Sequence, residues 1–444
     1  MYIAGVSSPA DFSVVEAAAA LTRGETSSIE LVSACLARIR ERDGARSFDG
    51  SPSSVNAWAR TYDEDALAAA AHADARRSRG EAGPLCGIPI GLKDLYAVEG
   101  KPLTASSRLL DDVPARSCTT WSRLAAAGMV LLGHVHTHEF AAGGTTDQVG
   151  NPHALDRSAG GSSGGSAAAL ASLTTPAATG TDTAGSLRIP SALCGTATIK
   201  PTRGLVPIDG IVPLSPSFDH AGPMARTVEE CEPLLACLAA VTPPADRRPL
   251  RRVVVSPRIA DLDPDVADGL DAALAHLPVV AVPPIDLSLD VGSALLDVLT
   301  AEMLAYHRRF DDRRALYRPS TRGYLEYAEE RALREDEQAA AQRRREADSA
   351  RWIEWFDENT VDAIVEPTVP IVARPRGNGY DAPFSDLAEI SLTHYWNWTG
   401  FPVVALPAGT GARSRLPVGV SLVGRPGADW HLVAAGAALQ RQLS

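Results

Sequence analysis

The chain reads as an α/β protein built on a parallel or mixed β-sheet, and three features of its 444 residues carry that reading. Helix-like stretches alternate with short apolar runs, the pattern of strands covered by helices. The clearest instance is helix-like 118–127, which leads directly into Met129-Val130-Leu131-Leu132. Further apolar runs at Val253 to Val255, Val279 to Val282, Ala363 to Val365 and Val403 to Leu406 read as buried strands, and no internal repeat is present.

The elements follow in order from their punctuation. Helices are predicted over about 13–22 and 28–42, the second announced by Ser27 with Glu30 three residues later, a capping box. An Ala-rich amphipathic stretch covers 63–79. Gly87-Ile88-Pro89-Ile90-Gly91-Leu92-Lys93-Asp94 then reads as a short apolar strand that carries a lysine into the core. Between Gly160 and Pro190 stand two glycine-rich turns, each displaying serine: Gly160-Gly161-Ser162-Ser163-Gly164-Gly165-Ser166 and Gly180-Thr181-Asp182-Thr183-Ala184-Gly185-Ser186-Leu187-Arg188-Ile189-Pro190. Glycine lets the backbone approach a ligand closely and lets N–H groups converge on one point, which is how an oxyanion hole is made. A Gly/Ser-rich stretch is often a flexible linker. Here an apolar helix-like run starts at Ala167 and a second ordered motif follows, which a linker would not show.

A serine hydroxyl needs a base, and the lysine count suggests one. Of 42 Lys plus Arg, three are lysine: Lys93, Lys101 and Lys200. A chain that uses arginine for ordinary positive charge keeps lysine where a proton must be lost near neutral pH, because a buried ammonium shifts its pKa and guanidinium does not. Lys93 is the candidate base, and Lys200 is assigned to structure. Two other arrangements compete. Asp219-His220 would complete a Ser-His-Asp set with Ser186, but neighbours on an extended chain face opposite ways. His134, His136 and His138 alternate and would share one face of a strand, as metal ligands do, yet Ala142 stands where H-E-x-x-H requires its second histidine.

At this point the chain resembles the amidase signature family. The resemblance rests on Lys93-Asp94, Gly160 to Gly165, Thr181 to Pro190, Cys194-Gly195 and Lys200-Pro201-Thr202. It continues through Phe218 to Arg226, Thr399-Gly400-Phe401-Pro402 and Leu416 to Val420. It implies a large central mixed β-sheet covered by helices on both faces, as one domain over 1–444 with core motifs in 55–240 and 360–430. It also implies a Ser-Ser-Lys triad: Ser186 as nucleophile, Ser162 as the bridging serine after a cis peptide with Gly161, and Lys93 as base. The N–H groups of Thr183, Ala184, Gly185 and Ser186 would form the oxyanion hole, with Ser163, Asp182 and Arg188 in support. Three residues depart from the family pattern and bear on substrate choice: Ala184 for glycine, Ala159 for proline and Ser421 for glutamine.

The activity so implied is hydrolysis of a carboxylic amide through an acyl-serine, on a small-molecule substrate, without metal or organic cofactor. The same signature serves the glutaminase subunit of a tRNA-dependent amidotransferase, an acyltransferase delivering to an acceptor other than water, or a binding protein that keeps only the fold. A homodimer is one candidate assembly. Segment 243–357 lies outside the resemblance and would help to set substrate range; its Tyr306, Phe310, Tyr317, Tyr324 and Trp352 are candidates to line an acyl pocket.

Composition narrows the class. Length alone favours two or three domains, but no adequate linker breaks the motif region. A net charge of −12 and a pI near 5.4 disfavour a nucleic-acid surface. Arg343-Arg344-Arg345 is embedded in an acidic helix-like stretch and reads as a solvated face. Six cysteines without a C-x-x-C pair read as buried thiols in a reducing compartment. Met1 to Ala20 has no basic n-region and contains Asp11 and Glu16, so no signal peptide is expected. No apolar run reaches membrane-spanning length, and the expected location is cytoplasmic.

Overall fold

The computed structural model describes residues 8–443 apart from 246, 260 and 378, so the first seven residues of the stretch read for a signal peptide lie outside it. The strands in chain order are β1 (Trp58–Thr61), β2 (Pro89–Lys93), β3 (Val130–Val135), β4 (Gly150–Asn151), β5 (Ala154–Ser158) and β6 (Ala177–Asp182). They continue as β7 (Ala197–Lys200), β8 (His220–Ala225), β9 (Val253–Val255), β10 (Ala363–Pro367), β11 (Val403–Thr410) and β12 (Pro417–Val423). Ten of them form one sheet in the order β1-β3-β2-β6-β8-β7-β11-β12-β10-β9, while β4 and β5 pair separately. The sheet is mixed: β2 runs parallel to β3 and β6, β9 runs parallel to β10, and the other pairs are antiparallel. Helices cover both faces.

Burial explains the strand sequences. Every residue of β2, β3, β6, β7 and β8 is buried, which is why these strands read as continuous apolar or small-residue runs rather than as alternations. At the N-terminal side two helices, Val14–Arg23 and Ser28–Arg42, begin with reciprocal capping boxes, Ser13 with Glu16 and Ser27 with Glu30. Each box satisfies two backbone donors that the first helical turn leaves free. One hydrophobic cluster runs from Ala10 to Leu439 through the sheet and its helices.

Between β9 and β10 the chain makes a long excursion containing the helices Pro264–Leu274, Gly292–His307, Pro319–Arg331 and Glu335–Glu358. Two expectations fail in this region. The run 279–282 is not a strand; Val279 makes only an isolated bridge to Val253. Pro278 before it and Pro283-Pro284 after it lack the N–H donors that a longer ladder needs. Arg345 is not part of a solvated face. It is buried, lies 4.3 Å from the Phe218 ring centroid, and donates to the Trp398 and Ser217 carbonyls. All six cysteines are free, five of them buried and Cys237 half-buried. Among the described residues no helix is long and apolar enough to cross a membrane.

Candidate active site

Lys93 ends β2, inside the sheet between β3 and β6, where it is fully buried. Its Nζ lies 2.7 Å from Ser162 Oγ and 2.8 Å from Thr181 Oγ1. Thr181 stands near the end of β6, the strand beside β2, so the two ends converge. Burial holds the Lys93 ammonium well below its usual value, against the opposing pull of Asp182 and Asp219. Desolvation disfavours the charged form, and no carboxylate among the described residues touches Nζ to restore it.

Ser162 sits on the loop between β5 and the helix Gly164–Ala171, and the Gly161–Ser162 peptide is cis. Its carbonyl accepts from His138 N–H at 3.0 Å and from Thr146 Oγ1 at 3.1 Å, while Thr146 Oγ1 accepts from Gly164 N–H at 3.3 Å. A Cβ on Gly161 would run into the Thr145 backbone, which is why the loop starts with glycine. Ser163 ties this loop to the second one: its N–H donates to the Ser186 carbonyl at 3.3 Å and its Oγ donates to the Thr181 carbonyl at 3.3 Å.

Ser186 lies on the turn between β6 and the helix Arg188–Cys194. Gly185 has φ of 139°, and a Cβ there would collide with the Thr393 hydroxyl. Ala184 does not have positive φ, so its methyl is tolerated; its carbonyl accepts from Thr393 Oγ1 at 2.5 Å. Below the turn Arg188 grips Asp182 with two bonds of 2.9 Å, Nε to Oδ2 and Nη2 to Oδ1. The same guanidinium donates to the Thr393 carbonyl at 3.0 Å and to Asn397 Oδ1 at 2.7 Å. Asn397 Nδ2 returns to Asp182 Oδ1 at 2.8 Å and to its carbonyl at 2.9 Å. Burial pushes the Asp182 carboxyl up, but Arg188 outweighs it and holds the group below the usual carboxylate range.

The structure thus gathers Lys93, Ser162, Ser163, Asp182, Ser186 and Arg188 around the ends of β2 and β6. Lys93 and Ser162 are in hydrogen-bonding contact; the hydroxyls of Ser162 and Ser186 are not. Among the described residues the N–H groups of Thr183, Ala184, Gly185 and Ser186 donate to no protein acceptor, which leaves four donors on one turn. Thr181, Thr393 and Asn397 were not singled out from the sequence. Thr181 opens a motif in which only its neighbours drew a role, and Asn397 stands in Tyr395-Trp396-Asn397-Trp398, just before Thr399-Gly400-Phe401-Pro402.

The competing arrangements take other forms. His220 Nδ1 faces the Phe218 carbonyl at 2.6 Å and the Asp182 carbonyl at 3.2 Å, while the Asp219 carboxylate accepts from Thr183 Oγ1 at 2.6 Å and from the Leu214 and Ser215 N–H groups. The two side chains therefore do not relay to one another. His134, His136 and His138 each engage separate partners: Tyr62 OH and the Tyr96 carbonyl, Ser106 Oγ, and the Thr145 carbonyl. Burial pushes His136 down to about 4 and His138 to about 3, so both rings are neutral at pH 7. Lys200 is buried and donates to the Pro201 carbonyl at 3.2 Å.

Ser186 opens into a cavity of about 390 Å³. One wall is Leu295, Leu296, Leu299 and Met303 of the helix Gly292–His307; Leu387, Ile390 and His394 lie across it, with Leu214 and the Ala141–Gly144 loop between. Of the five aromatics proposed to line a pocket only Tyr324 does so. Tyr306, Phe310 and Tyr317 pack instead around Phe140 and His307, and Trp352 packs on Trp355, Tyr395 and Trp396. Large rings find more contact in the core than beside an open cavity, and aliphatic side chains fill the wall.

The chain is similar in sequence and fold to known proteins. The model of the Amidase family covers residues 30–433. A glutamyl-tRNA(Gln) amidotransferase subunit from Roseiflexus sp. (strain RS-1) is 34% identical, spanning 96% of this chain and 95% of that protein. A solved structure described as an amidase is 30% identical with a TM-score of 0.86, over 98% of this chain and 100% of the other. Another, from a vestigial protein complex tied to the evolutionary origins of an s-triazine catabolic enzyme, is 30% identical with a TM-score of 0.86, over 97% and 98% of the two chains. The chain belongs to the amidase signature family.

Proposed function

We propose that the chain is a serine hydrolase of linear carboxylic amides, with Ser186 as nucleophile, Ser162 as relay and Lys93 as base. The observation that carries this reading is Lys93: an amine buried completely, with its pKa depressed and its Nζ 2.7 Å from a serine hydroxyl. Neutral Nζ accepts the Ser162 proton as Ser162 Oγ accepts that of Ser186, and Ser186 Oγ forms a bond to the amide carbon. The carbonyl oxygen becomes an oxyanion facing the free N–H groups of 183–186, each worth about 3 kcal/mol of barrier. The C–N bond then breaks while the proton returns through Ser162 to the leaving nitrogen. Water enters, gives its proton to the same relay, and cleaves the acyl-Ser186 ester. The open Ser162–Ser186 link closes when substrate fills the cavity, since catalytic hydrogen bonds often tighten only in the complex.

A second reading has a specific support, the Roseiflexus relative that is a glutamyl-tRNA(Gln) amidotransferase subunit. On that reading the amide would be glutamine and the ammonia would pass to a partner. The purified chain alone separates the two. It is expected to release ammonia or amine from at least one of a set of aliphatic, aromatic, carbamate and peptide amides, and Ser186→Ala to release none. A fluorophosphonate is expected to label Ser186. Turnover undiminished in Ser186→Ala would overturn the proposal; release from glutamine alone would favour the amidotransferase reading.

A further inference from the structure

Among the described residues that line the cavity beside Ser186 there is neither lysine nor arginine, and the ionisable members are Tyr324, Asp386 and His394. Two buried arginines near its wall are committed elsewhere. Arg188 is held by Asp182, Asn397 and the Thr393 carbonyl. Arg258 donates to the Ser391 and Leu392 carbonyls, stacks 4.6 Å from the Tyr395 ring centroid and faces Glu366 at 4.0 Å.

Across the cavity from the nucleophile turn, most donors of the lining are equally engaged. Tyr324 OH donates to Asp386 Oδ1 at 3.2 Å, Gly144 N–H donates to Asp386 Oδ2, and Gly143 N–H donates to the Ala141 carbonyl at 2.9 Å. Ser391 Oγ donates to the Ala388 carbonyl at 2.9 Å. Apart from the free N–H groups beside Ser186 and the Ser293 hydroxyl, what this part of the lining offers is acceptors. His394 Nδ1 lies 2.8 Å from the Ile390 carbonyl, which only accepts, so Nδ1 carries the hydrogen and Nε2 keeps a lone pair. Asp386 is buried and has acceptor capacity beyond its two bonds.

A carboxylate entering this space would lose its water with no cation to receive it. With Asp386 ionised it would also meet a like charge across apolar surroundings. A hydrocarbon chain would meet Leu295, Leu296, Leu299, Met303 and Ile390, and an ammonium or N–H group at its end would meet an acceptor. We propose that the acyl half of the substrate is apolar, either uncharged or ending in a cationic or hydrogen-bond-donating group, and that amides carrying a carboxylate, glutamine included, are rejected. The inference rests on the hydrolase reading and names the substrate class of that same site.

Three amides of one chain length test it: pentanamide, its ω-amino derivative and its ω-carboxylate, glutaramate, with glutamine as a fourth. The expected result is that pentanamide and the amine are hydrolysed with kcat/KM at least about 100-fold above glutaramate and glutamine. The neutral and cationic amides are also expected to slow fluorophosphonate labelling of Ser186, and the two carboxylates to leave it unchanged. Glutaramate or glutamine within about 10-fold of pentanamide in kcat/KM, or equal protection by the carboxylates, would overturn the inference while leaving the hydrolase standing. Absence of both turnover and labelling with every compound would instead overturn the hydrolase reading beneath it. Asp386→Asn gives a second arm, since removing the negative charge is expected to narrow the gap between pentanamide and glutaramate by about 10-fold.

Discussion

Lys93 can act as a base only while it carries no charge, and burial supplies that state. Its folded pKa lies below the ordinary 10.5, so the neutral form appears at a lower pH than it would in water. Activity is therefore expected to fall as pH drops through the depressed value and to rise toward alkaline pH, with the acid limb of kcat/KM well below 10.5. Lys93→Met and Lys93→Arg are both expected to lower kcat by about 1000-fold, because guanidinium does not become a neutral base at these pH values. A Lys93→Arg enzyme with wild-type kcat at neutral pH would contradict the assignment. This residue was legible because lysine is rare in the chain and because its strand is short and apolar. Thr181, which faces the other side of Nζ at 2.8 Å, was not. A threonine before an aspartate at a strand end has no local mark of contact with a lysine 88 positions earlier.

Two elements meet across the Arg188 side chain. The helix Arg188–Cys194 follows the nucleophile turn, the short helix Tyr395–Thr399 comes more than two hundred residues later, and one guanidinium bonds Asp182, the Thr393 carbonyl and Asn397. The Asp182–Arg188 pair is buried on both sides. Breaking a buried pair leaves one charge uncompensated, which is worth about 3–5 kcal/mol. Arg188→Met is expected to lower the unfolding free energy in urea by that amount and to reduce Ser186 labelling. Arg188→Lys should recover only part of it, because an ammonium does not reproduce the two-pronged contact. A loss under about 1 kcal/mol would show that the turn stands without the pair. The elements themselves were legible where local chemistry marks them, as at Ser27 and Glu30. The excursion between β9 and β10 was legible in the helix-like stretch around 343–345 but not as a wall: rings at 306, 310 and 317 have no sequence mark of which side of a helix meets the cavity, and they turned to Phe140.

At the scale of the whole molecule, all three groups of the proposed triad lie before residue 190, yet part of the surroundings that position them does not. β7 pairs on one side with β8 and on the other with β11, so the sheet that carries Lys93 is completed only by the last fifty residues. Thr393 and Asn397 hold the Ser186 turn, and Leu295, Leu296 and Leu299 wall its cavity. We propose that the chain folds as one unit. A fragment of residues 1–243 keeps Lys93, Ser162 and Ser186 but exposes the β7 edge, and an unpaired edge invites aggregation. It is expected to be insoluble, or soluble and unlabelled by a fluorophosphonate; co-expression with 244–444 is expected to restore labelling if the halves reassemble the sheet. If the short fragment alone were labelled at the wild-type rate, the nucleophile turn would be set by its own glycines, and the distant threonine, asparagine and strand would have to be read as support for substrate binding rather than for the serine.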